Sequence, residues 1–247
     1  MARSSYYYHQ KRSLLDDKHK EIKRMVNQVY HHHKGRYGYR RITLEINKRG
    51  VVINHKTIMK LMRELGLKSL IRLKRYKSYK GQIGDTAPNI LHRNFKAVKP
   101  NKKWATDITE FKVLGNKLYL SPIIDLFNKE IISYELSEKP DFKQVAIMLK
   151  KSFKKIPDQT NLILHSDQGW QYQMRQYQRL LQDKGIIQSM SRKGNCLDNA
   201  VIENFFGILK SELFYLNKYN SISQLKKDIK EYIEYYNNER IKKDLSW

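Results

Sequence analysis

The chain has 247 residues, of which 40% are apolar or aromatic and 30% are charged. A chain of this length and composition is predicted to form one or two domains around a real core. A single cysteine, Cys196, excludes an internal disulfide framework and a site of clustered cysteines. No apolar run approaches the roughly 18 residues of a membrane-spanning helix, and no secretory signal is visible, so a cytoplasmic location is expected.

The charge of the chain is strongly positive and unevenly distributed. The formal net charge is +25, and residues 1–100, with 25 basic and 6 acidic side chains, account for +19 of it. Such an excess disfavours a compact state through self-repulsion unless a polyanion neutralises it. Nucleic acid is therefore the expected partner. A basic first part joined to a nearly balanced second part predicts a binding region and a region with a different task.

The first region carries three segments of helical periodicity, at residues 14–33, 39–49 and 55–65. Asn54 is placed to cap the third helix. A helix, a tight turn and a second helix that display basic side chains are typical of a helix-turn-helix, which predicts a small all-α DNA-binding domain over residues 1–66. A basic three-helix packing unit is the alternative. The side chains expected to contact DNA here are Arg36, Tyr39, Arg40, Arg41, Lys56 and Lys60.

Residues 67–103 differ from the helical segments before them. Six basic side chains lie within thirteen positions from Lys68 to Lys80, interleaved with Tyr76 and Tyr79, and glycines and prolines follow. This composition predicts an extended basic linker. The segment either tracks DNA phosphates or is a solvated run of charge.

From Trp104 onward the hydrophobic period changes, and segments typical of strands alternate with segments typical of helices. This pattern predicts a mixed α/β domain over residues 104–247. Three strands are followed by a helix, a strand, a helix, a strand and two helices, which is the order of a ribonuclease-H-like fold with a five-stranded mixed sheet flanked by helices. The predicted strands are 104–112, 117–125, 130–136, 161–165 and 186–189. The predicted helices are 141–153, 171–184 (closed by Gly185), 197–214 and 222–238.

Three acidic residues stand out in this second region. Asp107 falls inside the first strand, Asp167 follows the fourth strand, and Glu203 lies in the long helix. Alone, each has an ordinary explanation, as a hydrogen-bonded strand residue, a helix cap or a surface residue. Together they occupy adjacent strand ends and a facing helix, where sites are commonly built. Hard oxygen ligands suit Mg²⁺ or Mn²⁺ rather than zinc, and two such ions clamp the attacking and leaving oxygens of phosphoryl transfer.

Two neighbours of Glu203 share its stripe on the helix. Asn199 lies four residues before it and Lys210 seven residues after it. Asp198, five residues before, is turned about 140° away and is expected to cap the helix instead. His165, before Asp167, either orders a carboxylate or a water, or is a packed strand-end residue.

The sequences WATDITEF, LHSDQGWQY and GNCLDNAVIENFFGILKSE resemble the catalytic core of bacterial insertion-sequence transposases with a retroviral-integrase-like domain, in particular the downstream-frame (orfB-type) products. Thirty-five residues separate Asp167 from Glu203, as in that family's D,D(35)E signature. GRYGYRRITLEINKRG and HKTIMKLMRELGL look like the helix-turn-helix-like segment that precedes this core. The resemblance covers nearly the whole chain.

This resemblance implies roles for individual residues. Asp107, Asp167 and Glu203 would be the catalytic, metal-binding triad, and Asn199 would shape the metal site. Residues 190–196, with turn position Gly194, would form a loop over DNA, as Gly169 would form a turn beside the site. The DNA contacts expected around this core are Arg192, Lys193, Asn199 and Lys210.

The resemblance also implies the activity and the partners. Metal-dependent nicking at an element end, with Mg²⁺ or Mn²⁺ and two ions when DNA is bound, would precede attack of the freed 3′-hydroxyl on another phosphodiester. The expected partners are double-stranded DNA (terminal repeats and target), further copies of this chain and the upstream-frame product, with no membrane. The expected location is the bacterial cytoplasm, at the nucleoid when DNA is bound.

Two alternatives remain at this stage. The family's full fusion continues upstream of Met1, and relatives continue beyond Trp247, so a truncated tail and a missing upstream domain are expected. The chain would then be a catalytically incomplete, DNA-binding regulatory product of the same element. A plain ribonuclease-H-type nuclease is the third reading, which the basic first region disfavours.

Overall fold

The computed structural model describes Arg3, Ser4, Tyr7 and residues 17–70, 87–192 and 196–242. The chain divides into two compact units, Met1–Ile71 and Arg72–Trp247. The basic cluster of the predicted linker, from residue 71 through residue 86, lies outside the described residues, as do Lys193 and Gly194. The domain limits predicted from the sequence, 1–66, 67–103 and 104–247, stay predictions.

The first unit is formed by the three helices that the periodicity predicted. They are α1 (Lys20–His32), α2 (Tyr39–Lys48) and α3 (His55–Glu64). The predicted cap is confirmed, because the Asn54 side chain accepts a hydrogen bond of 2.8 Å from the backbone N–H of Lys56. The apolar stripes of the helices meet in a small core made of Val26, Val29, Tyr37, Ile42, Ile46, Ile58 and Leu61. Helix α1 begins at Lys20, after a turn at residues 18 and 19, and thus later than predicted.

The second unit is built on a mixed sheet. Its strands are β1 (Lys103–Thr106), β2 (Thr109–Val113), β3 (Asn116–Asp125), β4 (Ile131–Ser137), β5 (Ile163–Ser166) and β6 (Ile187–Met190). Strand β3 pairs antiparallel with β1, β2 and β4. Strand β5 pairs parallel with both β1 and β6. The three-strand meander is therefore extended by two parallel strands.

The sheet has six strands where five were predicted, because the first predicted strand is interrupted at Asp107 and Ile108. The register against β3 is the same before and after the interruption, so β1 and β2 follow one line and Pro122 stands opposite Asp107. The Pro122 carbonyl accepts the Thr106 hydroxyl at 2.9 Å, so its backbone faces this line. Proline has no N–H to donate to the strand opposite it. At the interruption, the Ile108 N–H donates to the Asp107 carboxylate at 2.7 Å.

Helices cover both faces of the sheet. In chain order they are α4 (Phe142–Phe153), α5 (Trp170–Gln173), α6 (Arg175–Lys184), α7 (Ala200–Glu212) and α8 (Ile222–Asn238). Helices α7 and α8 pack with Ala105 on one face, whereas α4 and α6 pack with Trp104 on the other. None of the described helices has the length and apolar character required to cross a membrane.

Two predicted helices are subdivided in the structure. The helix predicted over 171–184 breaks at Met174, whose backbone is extended (φ −67°, ψ 137°). Tyr172 and Tyr177 are both buried in the same core cluster. In one helix they would point about 140° apart, so the break allows both rings to face the core. The helix predicted over 197–214 is a 3₁₀ turn (Cys196–Asn199) followed by α7.

Candidate active site

Asp107 and Asp167 follow the carboxyl ends of two adjacent parallel strands. Ala105 of β1 is the register partner of His165 of β5, and each aspartate lies two residues further along its strand direction. Residues two apart point to the same side of a sheet. Because Ala105 packs against α7, both carboxylates lie on the face that α7 covers.

Glu203 lies in the first turn of α7, close enough to the two aspartates for their charges to interact. The helix is fixed on the sheet by its buried side chains, namely Ile202, Phe205, Phe206 and Leu209. The negative charges of Asp167 and Glu203 both raise the pKa of Asp107, and the charge of Asp167 raises the pKa of Glu203. The structure thus brings together the three carboxylates that the sequence singled out.

Burial is the largest cause that raises the pKa of each of these three carboxylates. The Ile108 N–H opposes the rise for Asp107, and the Gly169 N–H opposes it for Asp167. In the part of the chain that the structure describes, none of the three forms a salt bridge. Desolvated like charges are costly unless they bind protons or a cation. A donor set made only of carboxylate oxygens fits Mg²⁺ or Mn²⁺.

Gly169 holds Asp167 in place. Its backbone N–H donates a hydrogen bond of 2.8 Å to Asp167 Oδ1. A Cβ at position 169 would lie only 3.0 Å from that same oxygen. A side chain at position 169 would therefore crowd the carboxylate, which would have to move by a few tenths of an ångström.

His165 is a packed strand-end residue, the second of the two readings that the sequence left open. Its Nε2 lies 2.9 Å from the backbone carbonyl oxygen of Asp198, and its Nδ1 lies 2.9 Å from the Ser189 hydroxyl. A carbonyl oxygen only accepts, so Nε2 carries the proton. Burial lowers the pKa of His165, which favours this neutral form.

Asp198 does not cap α7, contrary to the prediction. The residue at the cap position is Asn199, whose side chain makes no capping bond. The Asp198 carboxylate is buried and forms salt bridges with Arg93 and Arg192, and the hydrogen bonds from Arg192 hold the pKa of this carboxyl well below its usual range. Sequence reasoning missed Arg93, because its partner lies 105 residues away and no local signal marks the pair.

The other side chains predicted around the core lie near α7. Asn199 is buried, and its side-chain oxygen accepts no hydrogen bond from any described residue. Lys210 lies in the last turn of α7, with its Nζ 5.3 Å from the ring centroid of Phe111. Burial lowers the pKa of Lys210, and its positive charge in turn lowers the pKa of Asp107. The exposed Arg192 side chain is bound to Asp198, as described above.

The predicted DNA contacts of the first unit differ in exposure. Tyr39 is half-buried, and its hydroxyl accepts a hydrogen bond of 3.1 Å from Arg40 Nε. Arg41 is also half-buried, whereas Arg36 is buried in the turn between α1 and α2. The side chains presented openly to solvent are those of Arg40, Lys56 and Lys60.

Comparison with known proteins identifies the family. An HTH-like domain matches residues 16–75, and two descriptions of an Integrase core domain match residues 97–196 and 203–246. InsK of insertion sequence element IS150 from Escherichia coli (strain K12) is 57% identical over 241 residues, which cover 98% of this chain and 85% of that protein. The chain belongs to the insertion-sequence transposases that carry an integrase core domain.

Further relatives agree. The transposase for insertion sequence element IS904 of Lactococcus lactis (strain IL1403) is 37% identical to this transposase over 224 residues, covering 90% of this chain and 88% of that one. A transposase-like protein of Haemophilus influenzae is 53% identical over 191 residues, covering 77% and 88%. The predicted resemblance is thereby confirmed, and with it the function as a transposase, a DNA-binding polynucleotidyl transferase.

A solved structure supports the fold of this transposase. The intasome of simian T-cell lymphotropic virus, in complex with a PP2A regulatory subunit, contains a chain that matches with a TM-score of 0.51 at 15% identity. The match covers 88% of this transposase and 70% of that chain. The predicted fold class is confirmed, as a mixed α/β core preceded by an all-helical HTH-like region.

Proposed function

We propose that this transposase cleaves DNA at the ends of an insertion sequence and joins the freed ends to target DNA, with Asp107, Asp167 and Glu203 as the DDE triad. The observation that carries this proposal is the electrostatic state of the three carboxylates. Burial raises the pKa of all three, the charges of Asp167 and Glu203 raise the pKa of Asp107 further, and the charge of Asp167 does the same for Glu203. None of the three forms a salt bridge with a described residue. An arrangement of this kind is stabilised by divalent cations from solution.

The residues of the chain divide the work. Asp107 and Asp167 would hold Mg²⁺ or Mn²⁺ from the sheet, and Glu203 would do so from the helix. Two such ions, with DNA bound, would supply Lewis acidity at the attacking and leaving oxygens of a phosphodiester. The Gly169 N–H keeps the Asp167 carboxylate oriented. No protein nucleophile is needed, because water and then the freed 3′-hydroxyl would attack phosphorus, and each attack forms one P–O bond as another breaks.

DNA would be bound at several places on the chain. The exposed side chains of the first unit would bind the duplex phosphates, and Lys210, Asn199, Lys193 and Arg192 would contact DNA nearer the triad. Joining two element ends requires two active sites, so we propose an oligomer of this chain on DNA at the bacterial nucleoid. The upstream-frame product remains a predicted further partner.

The proposal is tested with a labelled duplex that carries the element's terminal repeat. Full-length protein is compared with Glu203→Gln in Mn²⁺ and in EDTA. We expect nicking and strand transfer only with the original glutamate and only with Mn²⁺. Glu231→Gln, an exposed glutamate of α8, is the matched control and should keep full activity. Cleavage that survives in Glu203→Gln refutes the assignment, and salt-sensitive DNA binding without cleavage by the original chain favours the regulatory product.

A further inference from the structure

A buried ion cluster lies just before the helix that carries Glu203. The Asp198 side chain is 0% exposed, and both of its oxygens are engaged. Arg192 donates to it from its backbone N–H (3.1 Å), Nε (2.9 Å) and Nη2 (3.0 Å). Arg93 donates from Nε at 2.9 Å and Asn89 from its side-chain amide at 2.9 Å. One carboxylate thus receives five hydrogen bonds, three of them from guanidinium groups.

This cluster joins parts of the chain that are far apart in sequence. Residues 87–93, which precede the sheet, also run beside the end of β6. There the backbone N–H of Met190 donates to the Pro88 carbonyl at 3.3 Å, and the N–H of Ile90 donates to the Ser189 hydroxyl oxygen at 3.0 Å. Asp198 therefore ties this segment and Arg192, the second residue after β6, to the 3₁₀ turn that leads into α7.

The same turn is connected to the strand that carries Asp167. The Asp198 carbonyl accepts the Nε2–H of His165, and His165 lies two residues before Asp167. Glu203 follows Asp198 by five residues, in the first turn of α7. The start of α7 is thus held from the sheet side through its backbone and from the segment 87–93 through the Asp198 carboxylate.

We propose that Asp198 is a positioning residue of this transposase: by binding Arg93 and Arg192, it fixes the turn before α7 and so holds Glu203 against Asp107 and Asp167. The inference rests on the proposed function, because it assigns Asp198 to the same metal-binding site. It also makes residues 89 and 93, which lie before the first strand of the core, part of the support of that site.

The test uses the full chain bound to the terminal-repeat duplex, with Mn²⁺ as the probe. Electron paramagnetic resonance measures free Mn²⁺ and hence the affinity. In Asp198→Asn we expect the Mn²⁺ affinity to fall by about tenfold, the lower range for groups that orient metal ligands. Cleavage should need correspondingly more Mn²⁺ and should recover most of its rate at saturating Mn²⁺, because the triad itself is intact.

Two further variants separate positioning from general damage. Arg93→Gln removes the ion pair with the segment 87–93, leaves the Arg192 pair in place, and should lower the Mn²⁺ affinity in the same direction by a smaller factor. Asp125→Asn is the matched control, since Asp125 is also fully buried and accepts two backbone N–H groups, from Asn101 and Phe127, both at 2.7 Å. The register partner of Asp125 in β1 is Trp104, three residues before Asp107. Asp125→Asn should lower the melting temperature and leave the Mn²⁺ affinity unchanged.

The outcomes are distinct. An unchanged Mn²⁺ affinity in folded Asp198→Asn overturns the inference, and so does an equal loss in Asp125→Asn. If Asp198→Asn does not fold, Arg93→Gln decides by the same measurement. An original chain that binds no Mn²⁺ on DNA overturns the proposed function and this inference with it, whereas Mn²⁺ binding that no variant alters overturns the inference alone.

Discussion

The two ends of helix α7 carry glutamates in opposite electrostatic states. Glu203, in the first turn, faces other carboxylates, and burial together with the charge of Asp167 raises its pKa. Glu212, in the last turn, is almost completely buried, with 2% of its side chain exposed. It accepts hydrogen bonds from Arg240 at 2.8 and 2.9 Å and from the Tyr232 hydroxyl at 2.8 Å.

The difference shows how a carboxylate can be assigned a role from the charges around it. The charge of Glu212 is balanced within the chain by a bidentate arginine from the segment after α8, so this glutamate stabilises the fold. Among the described residues, the charged group that acts on Glu203 is another carboxylate, that of Asp167. The charge of Glu203 has to be balanced from solution, which is the property expected of a metal ligand.

The largest expected effect is loss of catalysis at the first end of the helix. Asp107→Asn or Asp167→Asn should lower the rate of DNA cleavage by about a thousandfold or more, because each removes a charge that stabilises the transition state through the metal ions. End-labelled nicking in Mn²⁺ measures the rate. Binding of the same duplex, measured by fluorescence anisotropy, should change little, and a variant that keeps most of the cleavage rate contradicts the triad.

At the second end, the expected effect is on stability. Arg240→Met should reduce the free energy of unfolding by about 3–5 kcal/mol, because it leaves the buried charge of Glu212 without its ion pair. Urea denaturation measures the loss. The double variant Arg240→Met, Glu212→Gln should recover part of it, since the unpaired charge is gone. An unchanged free energy of unfolding in Arg240→Met would show that Arg240 does not stabilise the Glu212 charge, and the contrast with Glu203 would be lost.

The third prediction is that a substitution in the carboxylate site stabilises the fold, whereas most substitutions lower the free energy of unfolding. Without metal, Asp107→Asn should raise the free energy of unfolding at neutral pH by about 1–2 kcal/mol, the upper part of the usual gain from one stabilising substitution. The raised pKa of Asp107 means that its favourable contribution is present at acid pH and is lost as the pH rises through that pKa. The advantage of the variant should therefore grow from acid to neutral pH.

Thermal melts in EDTA across this pH range measure the effect. Adding Mn²⁺ should reverse the order, because only the original carboxylate gains from the ion. Asp107→Asn that is less stable than the original chain in EDTA at every pH would show that Asp107 has a stabilising partner and would remove the contrast with Glu212.

The smallest effect concerns Lys210, which lies between the two glutamates. Lys210→Met keeps an apolar chain against Phe111 but removes the charge, so DNA affinity should fall several-fold and the slope of log affinity against log salt should shrink by about 0.9. Lys150→Met, on the exposed side of α4 across the sheet, is the control. An unchanged salt slope would argue against a phosphate contact by Lys210.

Local sequence signals predicted much of this fold. The helical stripes of α2 and α3, the Asn54 cap and the closing glycine after α6 all act through neighbours within a few residues, and each is present in the structure. The three carboxylates were also found from the sequence, because extended motifs surround them and a fixed spacing separates Asp167 from Glu203. Their presence on one face follows from strand alternation and the inferred fold class.

The sequence by itself determined the helical periods, the caps and the identity of the triad, since these depend on short-range geometry and on residue chemistry. Only the tertiary structure decided the break at Asp107, which lies opposite a proline of the neighbouring strand, and the break at Met174, which allows two tyrosines to share one core. It also decided that Asp198 binds Arg93 rather than capping a helix, and that Glu212 binds Arg240. Tertiary packing determines which residues that are distant in sequence come into contact. The energy of a buried charge depends on whether such a contact supplies an opposite charge.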